Sequence, residues 1–332
     1  MNVMPVSRVA VGDSGPQPSE VDLTLTVDQL GYIADDVVSL TLVDPDGHPL
    51  PAWEPGAHID VLLDNSMVRQ YSLCGEPRDR QRWRVAVRRD PDGRGGSVYL
   101  HCHMAAGARV RVRGPRNAFP LITRSRYLFI AGGIGITPLL PMIAAVARDG
   151  LSWNLLYGGR TRASMPFLET LAHYGSRVEV CPENERGLLD IAVVLDRVAP
   201  QTAVYCCGPE PLIAAVEDLA SRRDDISLHT ERFAPRAVAT LRTDEPFEVY
   251  CAESDVTLLV PPGRSVLEVA ADAGIDVLCS CKEGTCGTCE VDVLDGQPDH
   301  RDSFLSPQER ASNETMLICV SRCVGHRLTL DL

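Results

Sequence analysis

Lysine is almost missing from this 332-residue chain: Lys282 is the only one, and arginine supplies the remaining fixed positive charge. Aromatic residues are scarce at 5% and do not interleave with the basic ones. In a chain of net charge −13, that excludes the usual footprint of a nucleic-acid binder. No stretch approaches the roughly 18–20 apolar residues that a bilayer span needs, so no membrane association is expected. The first twenty residues lack a basic segment followed by an apolar run. No secretory leader is therefore expected, and a cytoplasmic location is the expectation that follows. Internal repeats and low-complexity tracts are also missing. The G-x-G-x-x-G dinucleotide fingerprint does not occur, so a nucleotide site has to be argued from other residues.

Twelve cysteines are present. In a cytoplasmic chain of this length they are expected as thiols or metal ligands rather than disulfides. Cys279, Cys281, Cys286, Cys289, Cys319 and Cys323 crowd into the last 54 residues, while the other six are scattered. Charge is uneven too. Residues 245–332 carry 16 acidic and 6 basic side chains, whereas residues 60–130 carry 14 arginines against 6 acidic residues. A basic region suits anionic cofactors, and an acidic module suits docking on a partner with a basic patch.

Patterning divides the chain into three domains. Residues 1–20, rich in Ser, Pro, Gly and Asp, read as a tail. Residues 21–121 show short alternating strands parted by turns such as Pro45-Asp46-Gly47 and Pro91-Asp92-Gly93, which predicts a small β-barrel. Over residues 122–233 strand and helix alternate, which predicts a parallel α/β sheet. Helices are expected there near residues 138–148, 165–174, 188–198 and 210–222. Residues 234–245 read as a linker, and residues 246–332 as a small cysteine-bearing module.

The most specific motif is Cys281-Lys282-Glu283-Gly284-Thr285-Cys286-Gly287-Thr288-Cys289, with Cys319 thirty positions on. The spacing C-x4-C-x2-C…C is that of plant-type [2Fe–2S] ligands. Gly284 and Gly287 allow the tight backbone that brings three thiolates together. A structural zinc site would usually show paired C-x2-C units, and only one such pair occurs. Leu294-Asp295-Gly296, Asp299-His300-Arg301-Asp302 and the run Met316 to Arg322 extend the likeness. The module resembles the β-grasp ferredoxin domain of the phthalate dioxygenase reductase family.

That resemblance covers residues 21–332 and implies further sites. Arg69-Gln70-Tyr71-Ser72 offers a cation, an aromatic hydroxyl and a small hydroxyl on one strand. Ala86-Val87-Arg88 and the turn Gly93-Arg94-Gly95-Gly96-Ser97 follow at the spacing of the ferredoxin-NAD(P) reductase superfamily. Arg94, Gly95, Gly96 and Ser97, at a predicted helix start, suit a terminal phosphate. The family implies FMN as the flavin, with FAD the alternative.

A nucleotide site is expected at Gly132, Gly133, Gly135, Thr137 and Pro138, where a strand meets a helix. Small residues there would let a pyrophosphate approach the backbone. Tyr157-Gly158-Gly159-Arg160 and Cys207-Gly208-Pro209 end later strands, where open α/β sheets bind ligands. The resemblance places Cys207 near the nicotinamide, Arg160 near the adenosine end, and Phe233 against the flavin ring. It implies NADH, with NADPH the alternative. Neither a haem-binding segment nor a Rieske-type set of Cys and His pairs is found. The expected function is thus to pass electrons from NADH through FMN to a [2Fe–2S] cluster and on to a separate terminal oxygenase. A Rieske-type partner is expected, with a cytochrome P450 or a non-enzymatic redox role as alternatives, and the reductase is expected as a monomer.

Overall fold

The structure, a computed structural model, describes residues 21–63, 67–236 and 244–332. The expected tail over residues 1–20 lies outside the described residues, as does most of the expected linker over 234–245.

The first unit is an antiparallel sheet of β1 (Val21–Ala34), β2 (Val37–Val43), β3 (His58–Leu62), β4 (Val68–Ser72), β5 (Trp83–Arg88) and β6 (Arg109–Arg116). Their order is β4-β3-β6-β1-β2-β5, and the two outer strands approach each other to close a barrel. Alternation drives this closure. Leu25, Val27, Leu40, Leu42, Ile59, Val61, Val85 and Val112 point inward to one apolar cluster. Helix α1 (Gly96–His103) caps the barrel, begins after Gly95 in the left-handed region at φ 80°, and places Leu100 in that core.

The second unit is a wholly parallel sheet of β7 (Arg126–Gly132), β8 (Ser152–Gly159), β9 (Val178–Pro182), β10 (Ala203–Cys207) and β11 (Ser227–Glu231). Helices α2 (Ile136–Arg148), α3 (Leu168–Ala172), α4 (Glu183–Arg186), α5 (Ile191–Asp196) and α6 (Glu210–Ala220) join the strands. Both sheet faces are covered: Tyr127, Phe129 and Ala131 pack with α2, while Leu128 and Ile130 pack with α5 and α6. Burial on both faces is what a near-continuous apolar strand signals. Two helices are shorter than the pattern suggests. Phe167 at φ 66° delays α3, and Gly187 at φ 75° separates α4 from α5, which Asp190 caps through the Val193 amide.

Strand order is β11-β10-β7-β8-β9. The chain starts this sheet at its centre and winds outward in both directions, so the switch point lies between β7 and β10. A crevice outside the carboxyl ends of these two strands is where such sheets take ligands.

The third unit contains β12 (Phe247–Cys251), β13 (Val256–Val260), α7 (Val266–Asp272), β14 (Glu290–Asp295), β15 (Pro298–Asp299), α8 (Pro307–Ser312), β16 (Thr315–Leu317), β17 (Arg322–Cys323) and β18 (Arg327–Leu330). Its mixed sheet runs β13-β12-β18-β14-β16. A capping box, Ser265 with Glu268, starts α7, which turns Val266, Leu267 and Ala270 onto the sheet. Cores reveal how the units relate. The barrel's Val37, Cys74, Ala86 and Phe119 share a cluster with the parallel sheet, whereas the third unit's cluster draws only on residues 247–332.

Candidate electron-transfer site

A cleft of about 690 Å³ opens where the three units meet, within the size range of ordinary cofactor pockets. The barrel lines it with His58, Arg69, Gln70, Tyr71, Ser72 and Arg94. The parallel sheet adds Glu231, Arg232 and Phe233, and the third unit adds Cys281, Glu283 and Cys286. Thus the R-x-Y-S strand, the aromatic at the end of β11 and two of the cluster cysteines border one space.

Hydrogen bonds shape the barrel wall. The Arg69 guanidinium donates to the Arg94 carbonyl at 2.8 Å. Gly96 is required beside it, since a Cβ there would stand 2.5 Å from Arg69 Nε. Burial pushes the Tyr71 phenol well up, so it stays protonated as a donor. Gln70 lines the cleft while its amide donates to Ser280 Oγ at 3.0 Å and to Asp60 Oδ1 at 3.3 Å. Ser97 closes its own turn, accepting from the Asp90 amide at 2.9 Å. Ala86 is buried against the parallel sheet, Val87 in the barrel core, and Arg88 is exposed. None of Ala86, Val87, Arg88, Gly95, Gly96 and Ser97 lines the cleft itself.

At the switch point the glycines have different tasks. A Cβ on Gly135 would meet the Cys207 carbonyl oxygen at 2.3 Å, and one on Gly132 would meet Pro209 Cδ at 2.5 Å. Those two positions let the β7 and β10 ends touch. Gly133 alone is open, with φ 54° and nothing near its would-be Cβ. The buried Tyr157 hydroxyl holds the loop by donating to the Gly133 carbonyl at 3.1 Å, with the Pro166 carbonyl a second acceptor at 3.1 Å. Thr137 donates to the Ile134 carbonyl at 3.0 Å, and Pro138 is buried in the first turn of α2. Gly208 lies against Gly132. Arg160 is exposed after β8, while its neighbour Arg162 is committed to Glu185 at 2.8 Å.

Cys207 is fully buried, with its thiol 4.0 Å from Glu231 Oε2. Desolvation raises both groups, Glu231 to about 8. The carboxyl binds a proton in the folded protein over a range where the unfolded chain, near 4.5, has released it. Stability from this group is therefore full below about pH 4.5 and lost as pH rises through about 8. Replacing Glu231 with Gln should leave the melting midpoint unchanged at the acid end. Above pH 8 the variant should melt higher, by on the order of a few degrees. Calorimetry at the two ends of that range checks it, and equal midpoints above pH 8 would sink the idea.

Around the cluster loop the four thiols converge. Cys281 interacts with Cys286 and Cys319, and Cys289 with Cys319. They are nonetheless too widely spread for a single ion. Tetrahedral thiolate coordination at about 2.3 Å puts sulfurs roughly 3.8 Å apart. Among the described residues, the one set of three or more potential ligands with all donor atoms within 4.8 Å is Asp44, Asp46 and His48, on an exposed turn. A wider frame suits a two-iron cluster. Backbone N–H groups of Glu283 and Thr285 point at Cys281 Sγ, at 3.3 and 3.5 Å, and such bonds stabilise negative charge on the cluster. Gly284 and Gly287 both have positive φ and sit against Asp302 and Phe304 with no room for a side chain. Cys323 is occupied elsewhere, accepting from the Gly325 amide at 3.2 Å.

Residues 249–324 match the 2Fe-2S iron-sulfur cluster binding domain, and residues 129–218 match the oxidoreductase NAD-binding domain. The phthalate dioxygenase reductase of Burkholderia cepacia is 37% identical over 316 residues, covering 93% of this chain and 97% of that protein. The chain belongs to the phthalate dioxygenase reductase family. Like other members of this reductase family, it is an oxidoreductase of the class that serves oxygenase systems. A solved phthalate dioxygenase reductase, described as a modular structure for electron transfer from pyridine nucleotides to [2Fe–2S], superposes with a TM-score of 0.69 at 36% identity. That match covers 94% of this chain and 98% of the other. The full-length CYP116B46 of Tepidiphilus thermophilus aligns at a TM-score of 0.84 and 41% identity over 94% of this chain. The present chain spans only 42% of that protein's length. No helix among the described residues is long and apolar enough to cross a membrane.

Three roles were not visible in the sequence: Tyr157, noted there only as part of a strand-end motif, as the pin of the Gly133 loop, Glu231 beside Cys207, and Asp60 beneath Gln70. Only Tyr157 left a trace, as a lone aromatic hydroxyl at the end of an apolar strand.

Proposed function

We propose that this reductase draws electrons from NADH, carries them through FMN bound in the three-unit cleft, and delivers them through a [2Fe–2S] cluster to a separate Rieske-type terminal oxygenase. The observation that supports this best is the cleft itself, where the R-x-Y-S strand, Phe233 and the cluster loop share one wall-to-wall space. Bound together, these cofactors convert a hydride, which carries an electron pair, into electrons passed singly.

The chain's own residues then have positioning roles. Arg69 and Arg94 supply positive charge for a flavin phosphate, and Tyr71 a neutral hydroxyl donor. Gly133 and the start of α2 present backbone N–H groups to a pyrophosphate, and Arg160 faces the adenosine end. Cys207, Gly208 and Pro209 would border the nicotinamide position, and Phe233, 46% exposed at the cleft, would pack on the flavin ring as a gate for nicotinamide entry. Cys281, Cys286, Cys289 and Cys319 hold the cluster. FMN is favoured over FAD because the chain belongs to the phthalate dioxygenase reductase family.

The test is an ultraviolet–visible spectrum of the purified protein before and after anaerobic NADH. Flavin and cluster absorption that both bleach are expected; absence of either chromophore would overturn the reading. A cytochrome P450 as the acceptor is the second reading, favoured by the TM-score of 0.84 with an intact type IV self-sufficient cytochrome P450 monooxygenase, of whose length this chain spans 41%.

Acidic residues dominate the third unit's surface, so we expect the partner to present a basic patch. Electron delivery to the oxygenase should slow by about tenfold when ionic strength rises through the physiological range. A rate indifferent to salt would remove electrostatic docking.

A further inference from the structure

The third unit keeps a hydrophobic core of its own, so its pose over the flavin cleft depends on the polar contacts across the junction. Among the described residues, side chains of the third unit meet the other two units at three places. Arg94 pairs with Glu283 at 2.7 Å, but the arginine is 53% exposed, and such pairs contribute little and weaken with salt. The Arg236 amide donates to Ser303 Oγ at 2.7 Å, a neutral bond. The third is of another kind. Asp60 on β3 is completely buried, and its Oδ1 accepts from the Ser280 hydroxyl at 2.6 Å.

Asp60 Oδ1 also accepts from Arg116 and from Gln70, and Gln70 donates in turn to Ser280 Oγ at 3.0 Å. Asp60 and Gln70 are direct partners in the β3–β4 register. The hydroxyl is thus gripped from two adjacent barrel strands. Hydrogen bonds to a buried carboxylate are short and roughly twice as strong as neutral ones, and a low-dielectric site screens them least. Ser280 directly precedes Cys281, and Gln70 lies between Arg69 and Tyr71. One side-chain contact therefore joins the neighbour of a cluster ligand to the middle of the flavin strand.

We propose that Asp60, Gln70 and Ser280 form an interdomain latch, with Ser280 a positioning residue that holds the cluster loop against the flavin strand for electron transfer. The latch rests on the proposed flavin-to-cluster path, and it works without covalent chemistry. When it opens, water can solvate Asp60, so release is reversible; while it is closed, the distance between the two cofactor sites is fixed.

The experiment is hydrogen–deuterium exchange on the oxidised holoprotein, comparing the parent with Ser280→Ala, Asp60→Asn and the double variant. Losing one bond to a charged group should speed exchange about tenfold in peptides covering residues 67–73 and 276–288. Exchange over residues 126–132, in the parallel sheet, should not change. The double variant should be no worse than the more affected single one, as for two ends of one interaction. Flavin-to-cluster transfer, followed by stopped flow, should slow while hydride transfer from NADH keeps its rate. Faster exchange confined to residues 276–288 would mean that Ser280 only orders its own loop, and multiplicative effects in the double variant would mean two unrelated contacts; either result overturns the latch. Loss of NADH bleaching in the parent protein would instead overturn the electron path, so the two failures are separable.

Discussion

Replacing Cys289 with Ser is expected to cut electron delivery to a protein acceptor by at least about a hundredfold, while NADH still bleaches the flavin at its normal rate. Mutating the outer partners of a metal ligand typically costs 10–100-fold, and losing a ligand costs more. Cys289 is the appropriate ligand to remove because it is 2% exposed within the third unit's core and does not line the flavin cleft, unlike Cys281 and Cys286. A serine hydroxyl there is a harder, less acidic donor than a thiol. The variant should also lose thermal stability in the third unit alone, because cluster binding contributes to the folding free energy of the loops that supply its ligands. The barrel and the parallel sheet share apolar packing that contains no residue beyond 205, so hydride transfer has no structural reason to change. Stopped-flow reduction with NADH, paired with turnover on a protein acceptor and on a small-molecule acceptor, checks this. Retained delivery to the protein acceptor would remove Cys289 from the ligand set.

The 2Fe-2S domain was legible because its signal is local: three of the four candidate ligands lie within nine residues, and tight curvature demands glycine at fixed offsets. The parallel sheet was legible for a similar reason, since strands buried on both faces, such as Arg126–Gly132 and Ala203–Cys207, are short compact apolar runs. Strands β14, β16 and β18 were not visible. β14 and β18 do alternate, Glu290-Val291-Asp292-Val293 and Arg327-Leu328-Thr329-Leu330, but four alternating residues, or the three of β16, are too few to separate a strand from a loop by pattern. Distance in sequence hid the rest. Ser280 and Asp60 are 220 positions apart, and nothing local to either marks the other. Gln70 shows a second role that the motif did not reveal: it lines the cleft with Arg69 and Tyr71, and its amide also reaches Asp60 and Ser280.

The glycines of the switch point carry the second large effect. From sequence alone, Gly132, Gly133 and Gly135 all serve one purpose, close approach of a pyrophosphate. In the fold Gly135 has φ −61° and ψ −4°, which any residue adopts, so an alanine there is not strained by its backbone. The obstacle is steric. Its Cβ would stand 2.3 Å from the Cys207 carbonyl oxygen, 2.5 Å from the carbonyl carbon and 2.7 Å from the Gly208 nitrogen. All three are backbone atoms at the end of β10, fixed by the parallel register Ala131↔Cys207, and no side-chain rotation relieves the contact. Gly135→Ala must therefore part the ends of β7 and β10. Overpacking of this kind costs about 1–3 kcal/mol, which should lower the melting midpoint by roughly 2–12 °C. Reduction of the flavin by NADH should fall by about a hundredfold, because a shift on the order of 1 Å in a reacting pair is enough to lose that much. Gly133→Ala provides the contrast: its Cβ meets nothing, so the cost is the left-handed backbone alone, about 1–2 kcal/mol. A Gly135→Ala protein that melts and accepts hydride like the parent would show that the β7 and β10 ends can separate freely, and that the nucleotide crevice is not built on their contact.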